Sequence, residues 1–293
     1  MELRILRYFL MVANEQNISQ AAKKLHITQP TLSRQIRDFE AELGVALFER
    51  KQRKLYLTDQ GRFLKEKAEE LIALDEKITH EFANYHDAKL NGQILIGCVE
   101  AANSAFLSKM LDQMLADHPQ VTFEIYSGTS KDIIEKLEKG LLDVAMLIEP
   151  FTLDQYEKIF LPSKETFGLL VADDHALAEK DAIVASDLID LPLIYASRAD
   201  VQSKFREWGN FETDDLNIVG RYNLIFNVLS LVENKVGAAI TIQGAVEDRL
   251  TETRFIPFQP PLQVRCAIVW KKATMLNPTL SSFIEQIRYA LKA

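Results

Sequence analysis

The stretch Ile18-Ser-Gln-Ala-Ala-Lys-Lys-Leu-His-Ile-Thr-Gln-Pro-Thr-Leu-Ser-Arg-Gln-Ile-Arg-Asp-Phe-Glu-Ala-Glu-Leu-Gly44, continuing through Arg50, Lys51 and Arg53, contains two helices and a sharp turn. Ser19 is placed to cap the first, and Ala21, Ala22 and Leu25 follow at helical spacing. A break follows at Ile27-Thr28, and Pro30 suits the first turn of a second helix, where its missing N–H is not needed. Leu32, Ile36, Phe39 and Leu43 recur every three or four residues and share one face. The other face carries Gln29, Thr31, Ser33, Arg34 and Arg37, and Gly44 stops the helix. Two short helices with a polar second N-terminus make a helix-turn-helix, the end that reaches base edges in a major groove. Arg and Gln are the side chains that pair bidentately with guanine and adenine edges. An ordinary helical hairpin with a solvated face is the alternative. Arg50, Lys51, Arg53 and Lys54, followed by Leu55-Tyr-Leu-Thr58, read as a basic hairpin beside the reader helix and favour nucleic acid.

Five blocks in this order are specific: Ala21-Ala22-Lys23-Lys24-Leu25, Thr28-Gln29-Pro30-Thr31-Leu32-Ser33-Arg34-Gln35-Ile36, Glu40-x-Glu42-Leu43-Gly44, Leu47-Phe48-Glu49-Arg50 and Leu57-Thr58-x-x-Gly61. From Met1 to about Gly61 the chain resembles the winged helix-turn-helix of LysR-type transcriptional regulators. The resemblance implies a DNA reader using Ser19, Gln29, Pro30, Thr31, Ser33, Arg34 and Arg37, with Arg50, Lys51 and Arg53 in the wing. Arg50 has a structural alternative beside the Leu47-Phe48 pair.

Charge is divided along the chain. Residues 1–58 hold ten Lys/Arg and six Asp/Glu, a net of +4, and the remaining 24 basic and 36 acidic residues give −12. A basic head on an acidic body suits a protein whose head alone meets phosphates. The 293 residues, 47% of them hydrophobic, are enough for two or three domains with sizeable cores. No run of about twenty apolar residues is present, and the first residues lack a signal-peptide pattern, so a cytoplasmic protein with no membrane partner is expected.

Leu3, Leu6, Phe9, Leu10 and Ala13 make an amphipathic first helix, and Thr58 is placed to cap a long one. Between Phe63 and His86 there is neither Pro nor Gly. Leu64, Ala68, Leu71, Asp75, Ile78, Phe82 and Tyr85 step alternately by four and three, a heptad stripe with one polar member. Its expected partner is the same helix of a second subunit, as the resemblance implies; packing on the chain's own head is the alternative. The expected domains are 1–58 for the head, 59–90 for the linker helix and 91–293 for the body.

From Gly92 the pattern alternates strand and helix, which points to parallel sheet covered by helices. Strands are expected at 93–99, 121–126, 142–148, 167–172, 193–195, 216–219, 238–242 and 263–270. Helices are expected at 105–116, 130–139, 201–208, 224–234 and 278–291. The fold class is therefore α/β: a mainly helical winged head, a long linker helix and a two-lobed body of periplasmic-binding-protein type. Lobe one would cover about 92–162 plus 267–293, and lobe two about 163–266.

Ligands of such sheets sit beyond strand C-termini, where helix N-termini offer free N–H groups. Four such ends carry capping residues: Asn103-Ser104, Ser127 to Ser130, Ser197 with Asp200, and Asn223. By the family resemblance a small effector lies between the lobes, near Glu100, Ala101, Ser104, Thr129, Ser130, Ile148, Ser197, Val201 and Asn223. Two departures stand out. Glu100 occupies a position where the family often has a small or hydroxyl residue. The usual Gly-x-Gly-Ile-Ala-x-x-Pro reads Lys235-Val-Gly-Ala-Ala-Ile-Thr-Ile242, without its first Gly or its Pro.

No GxSxG, HExxH, GxxxxGK[ST] or GxGxxG motif is present, and the five histidines form no metal-ligand spacing. No enzyme, cofactor or metal is expected. Cys98 and Cys266 lie in apolar stretches and read as buried thiols. A redox switch and a purely architectural DNA binder remain as other readings. The implied partners are double-stranded DNA, a small-molecule effector and further copies of the chain, as a homodimer or homotetramer, with RNA polymerase as a further candidate.

Overall fold

The computed structural model describes residues 1–51, 54–83, 90–151, 154–212, 215–247, 252–272 and 276–292. The chain divides into two compact units, Met1–His86 and Asp87–Ala293.

The first unit opens with α1 (Leu3–Glu15), α2 (Ile18–Lys24) and α3 (Gln29–Leu43). Asn17, not Ser19, caps α2: its side chain accepts from the N–H groups of Ser19 and Gln20. The helix starts two residues earlier than a Ser19 cap implies, which moves the cap back with it. Thr28 caps α3, Pro30 lies in its first turn, and Gly44 ends it at φ 70°, a left-handed conformation that suits glycine. Leu32, Ile36 and Phe39 are buried, but Leu43 at the helix end is exposed. Phe9 packs edge-on against Phe39 and tilts against Phe48. Fully burying each such ring is worth about 1.5–3 kcal/mol.

Strands β1 (Phe48–Lys51) and β2 (Lys54–Leu57) form the expected hairpin, with Arg50 opposite Leu55. Glu40 on α3 fixes it, accepting from the N–H groups of Leu47 at 2.7 Å and Phe48 at 3.1 Å. The Leu55 N–H also donates to the Gln16 carbonyl. Arg53 lies outside the described residues, as does the side chain of Lys51.

Helix α4 (Asp59–Ala83) is capped by Thr58, whose Oγ1 accepts from the Gly61 N–H at 3.0 Å. Its heptad stripe divides in two. Ala68 is fully buried in the head's own core, Ile72 joins it there, and Leu64 packs partly against the same cluster. Asp75 pairs with Arg7 of α1 at 3.0 Å, and Glu76 pairs with the same guanidinium at 2.8 Å. Ala68 is thus removed from the expected subunit stripe, because α1 already covers it, and the polar member of the heptad has an internal partner. Phe63, Leu71 and Ile78 remain exposed. The Phe82 side chain and Tyr85 lie outside the described residues.

The second unit begins with β3 (Gly92–Cys98), α5 (Ser104–Asp117), β4 (Val121–Ser127), α6 (Ser130–Glu138) and β5 (Val144–Ile148). Then come β6 (Tyr156–Ala172), β7 (Leu193–Ala196), α7 (Ala199–Gly209), β8 (Ile218–Tyr222) and α8 (Phe226–Glu233). The chain closes with β9 (Ala238–Ile242), β10 (Thr253–Pro257), β11 (Gln263–Lys271) and α9 (Pro278–Ala290). The strand order is β4-β3-β5-β11-β6-β9-β7-β8, with β10 added on β6. In the first lobe β3 lies parallel between β4 and β5; in the second, β7 lies parallel between β8 and β9. The long antiparallel strands β6 and β11 join the lobes.

Two strand segments were not expected from the sequence, β10 and the first half of β6. Pro162 within β6 falls between the paired residues Phe160 and Lys164, opposite the register shift at Arg265/Ala267. A proline is tolerated at such an irregularity because no ladder N–H is required there. Among the described residues no helix is long and apolar enough to cross a membrane.

Candidate functional site

The head presents a surface built on a buried one. Gln29, Pro30, Thr31, Arg34 and Arg37 are exposed on α3 while Leu32 and Ile36 anchor its opposite side. Ser33 is half-buried, and its carbonyl accepts from Arg37 Nε at 3.2 Å. Thr31 Oγ1 lies 2.8 Å from Thr28 Oγ1, so one of its hydrogen bonds belongs to the cap. Arg34 pairs with Asp38 at 3.6 Å, with both side chains largely exposed, so this pair holds it weakly. Ser19 is exposed at the start of α2, and Arg50 is exposed on β1. These groups offer hydrogen-bond donors and positive charge on one rigid helical module.

In the second unit the loops at the strand ends meet between the lobes. Glu100, after β3, accepts through Oε2 from the Ile225 N–H at the start of α8, 3.0 Å away. Arg198, after β7, donates through Nη1 to Ser130 Oγ on α6 at 2.9 Å and through Nη2 to the Pro150 carbonyl at 3.4 Å. Asp200 orients the same guanidinium through Nε and Nη2. One polar contact therefore runs from each lobe to a helix start in the other.

The expected capping residues are used differently. Thr129 does cap α6, accepting from the Asp132 N–H, and its hydroxyl also donates to Asp132 Oδ2 at 2.7 Å. Asn103 turns away from its own helix: its Nδ2 donates to Glu165 Oε1 at 2.9 Å and to the Ser163 carbonyl at 3.1 Å. Arg198 rather than Ser197 holds the cap position of α7, and Ile225 holds that of α8, two residues beyond Asn223. The Asn223 side chain instead accepts from the Leu224 N–H. Ser104, Ser197 and Asn223 are exposed; Ala101, Ser130, Ile148 and Val201 are buried; Glu100 and Thr129 lie between. Arg198, Ile225 and Glu165 escaped the sequence reading. Only Arg198 left a local signal, a cation directly after the capping candidate Ser197.

Electrostatics follow from burial. Burial pushes the Cys98 thiol up to about 11, assisted by the Glu100 charge and opposed by a hydrogen bond with Ser104. Tyr222 rises to about 12, chiefly through burial, with Thr241 opposing and Glu100 assisting. Cys266 is also raised, by burial first and then by the charge of Glu165. Both cysteines are free and buried, and neither has the lowered pKa of a reactive thiol. At Lys235, where the first Gly of the family pattern is missing, the backbone still adopts a left-handed φ of 58°. Among the described residues no group of three or more His, Cys, Asp or Glu is placed to hold a metal ion.

Residues 3–62 match the family described as bacterial regulatory helix-turn-helix protein, lysR family, and residues 87–292 match the LysR substrate binding domain. The Hca operon transcriptional activator HcaR of Escherichia coli (strain K12) is 31% identical, over 99% of this chain and 98% of that protein. The HTH-type transcriptional regulator BsdA of Bacillus subtilis (strain 168) is also 31% identical, over 82% and 83%. The crystal structure of full-length CbnR complexed with its target DNA shares the fold, with a TM-score of 0.77 at 22% identity, covering 99% of this chain and 100% of that one. The chain belongs to the LysR family of bacterial helix-turn-helix transcriptional regulators and carries both that family's DNA-binding head and its substrate-binding domain.

Proposed function

We propose that the head reads an operator with Gln29, Pro30, Thr31, Ser33 and Arg34 in the major groove. Ser19, Arg37, Arg50, Lys51 and Arg53 supply backbone or minor-groove contacts. The observation that carries this is the exposed polar face of α3, fixed by Leu32, Ile36 and Phe39 beneath it. The DNA-bound state of the similarly folded CbnR supports the docking. The exposed stripe of Phe63, Leu71 and Ile78 on α4 meets its copy in a second subunit, and the protein works as a homo-oligomer in the cytoplasm without catalysing a reaction. A small effector binds between the lobes of the second unit, where the Glu100–Ile225 and Ser130–Arg198 bonds report the lobe arrangement. An effector switches that arrangement only by binding one form more tightly than the other. Footprinting on the DNA upstream of the chain's own reading frame, with and without a metabolite panel, tests the assignment. A sequence-specific footprint altered by one metabolite is expected. A footprint that no metabolite alters would favour a purely architectural role, and no footprint would remove the operator reading.

A further inference from the structure

A cavity of about 290 Å³ opens on lobe two, beside the edge strand β8. Its walls come from β7, β8, α8 and the turns at the two ends of α8, so no residue of lobe one takes part. The lining passes over Ile225, whose N–H Glu100 holds, and the cavity is therefore separate from that contact between the lobes. Ile194 and Val228 in the wall are buried, whereas Val219, Leu231 and Val236 are 50%, 41% and 51% exposed. Large apolar side chains left in water around a concave surface favour the entry of an apolar body.

The polar side chains of the wall leave donors unused. Arg221 is exposed and forms no hydrogen bond or ion pair with any described residue. The Asn227 amide has no partner among the described residues either. Asn223 uses its Oδ1 on the Leu224 N–H and keeps its Nδ2 unengaged among them. No Asp or Glu lines the cavity, although residues 59–293 carry 36 of them. An entering cation would meet a like charge and no carboxylate. A carboxylate would meet an unpaired guanidinium, whose planar fork matches its two oxygens.

We propose that this cavity is a binding site for a small amphipathic carboxylate. The apolar part of the ligand lies on Val219, Leu231 and Val236, and its carboxylate pairs with Arg221, assisted by the amides of Asn223 and Asn227. The site belongs to lobe two alone and does not rest on the reading that an effector binds between the lobes.

The test titrates the full-length protein with hexanoate, with 1-hexanol and hexylammonium as neutral and cationic matches, by saturation-transfer NMR and calorimetry. Hexanoate is expected to bind more tightly than either match. Arg221→Gln, at an exposed position, should leave Tm unchanged and weaken hexanoate binding about tenfold, to the level of hexanol, through the loss of one charge-assisted pair. Leu231→Asp, which puts a negative charge on the apolar wall, should abolish hexanoate binding. No binding of hexanoate, equal binding of all three compounds, or undiminished binding in Arg221→Gln overturns the proposal. Hexanoate binding that Arg198→Ala lowers and Arg221→Gln spares would place the anion between the lobes, which overturns the proposal and leaves the inter-lobe effector reading intact. Should Arg221→Gln keep its hexanoate but sediment as a smaller species, the groove is a contact between subunits and not a ligand site.

Discussion

Arg198 of the second lobe donates to Ser130 Oγ of the first at 2.9 Å, although the two residues are 68 positions apart in the chain. Ser130 is 2% exposed, so its hydroxyl has little access to water if the arginine leaves. Arg198→Ala should destabilise the protein by about 1–3 kcal/mol, the usual penalty for a buried polar group left unpaired. Scanning calorimetry reads this directly. An unchanged melting profile would mean that the bond is solvated or replaced.

Specific DNA binding should depend on Arg34 more than random binding does. Arg34→Ala is expected to cost about 1–3 kcal/mol on the operator and less on unrelated sequence. Equal losses on both would restrict Arg34 to phosphate. Because Asp38 is its exposed partner at 3.6 Å, Asp38→Asn should strengthen binding to any DNA modestly, as measured by fluorescence anisotropy at fixed salt.

The two faces of α4 can be separated by substitution. Leu71→Asp, on the exposed face, should leave the melting of the head unchanged but yield monomers in sedimentation. Ala68→Leu, on the face packed against α1, should overpack the head at a cost of about 1–3 kcal/mol. A stable Leu71→Asp dimer would place the subunit contact elsewhere.

High pH should destabilise the protein. The folded-state pKa of Cys98 is raised from an ordinary 9.0 to about 11. The unfolded chain therefore releases this proton first. The contribution to stability is complete below pH 9 and is lost as pH rises to about 11, with Tyr222 acting in the same direction between 10 and about 12. Denaturant midpoints at pH 8, 9.5 and 10.5 should fall in that order, and Cys98→Ser should flatten the lower part of the trend. At pH 7 Cys98 should resist thiol reagents until the protein unfolds.

Elements with local chemistry were legible in the sequence. Thr28, Pro30 and Gly44 mark the ends of α3 through capping and backbone preference, which require only neighbours. The family blocks between Ala21 and Gly61 then identified the module. Ala68 was misplaced because a small residue at a heptad position reads alike whether it packs within a chain or between chains, and only α1 decides the matter. The first half of β6 was hidden because Tyr156-Glu-Lys-Ile-Phe-Leu-Pro162 mixes charges with a proline, and its order comes from pairing with β11, over a hundred positions away. At the junction of the lobes, the positions of Glu100, Thr129 and Ser130 at strand ends and helix starts were legible locally. The contacts of Arg198 and Glu165 were not, since they join segments far apart in the chain that no local pattern links.

Ala68 and Ile72 make the early turns of α4 part of the head's core, and the Arg7 pair with Asp75 and Glu76 ties in the next turn. A helix held that way cannot swivel separately from the module it stabilises. Its 25 residues form a stiff arm of about 37 Å at 1.5 Å per residue. Rolling that arm about its own axis turns α3 by the same angle, so torque applied at the exposed stripe arrives at the exposed polar face of α3 undamped by any joint before Asp75.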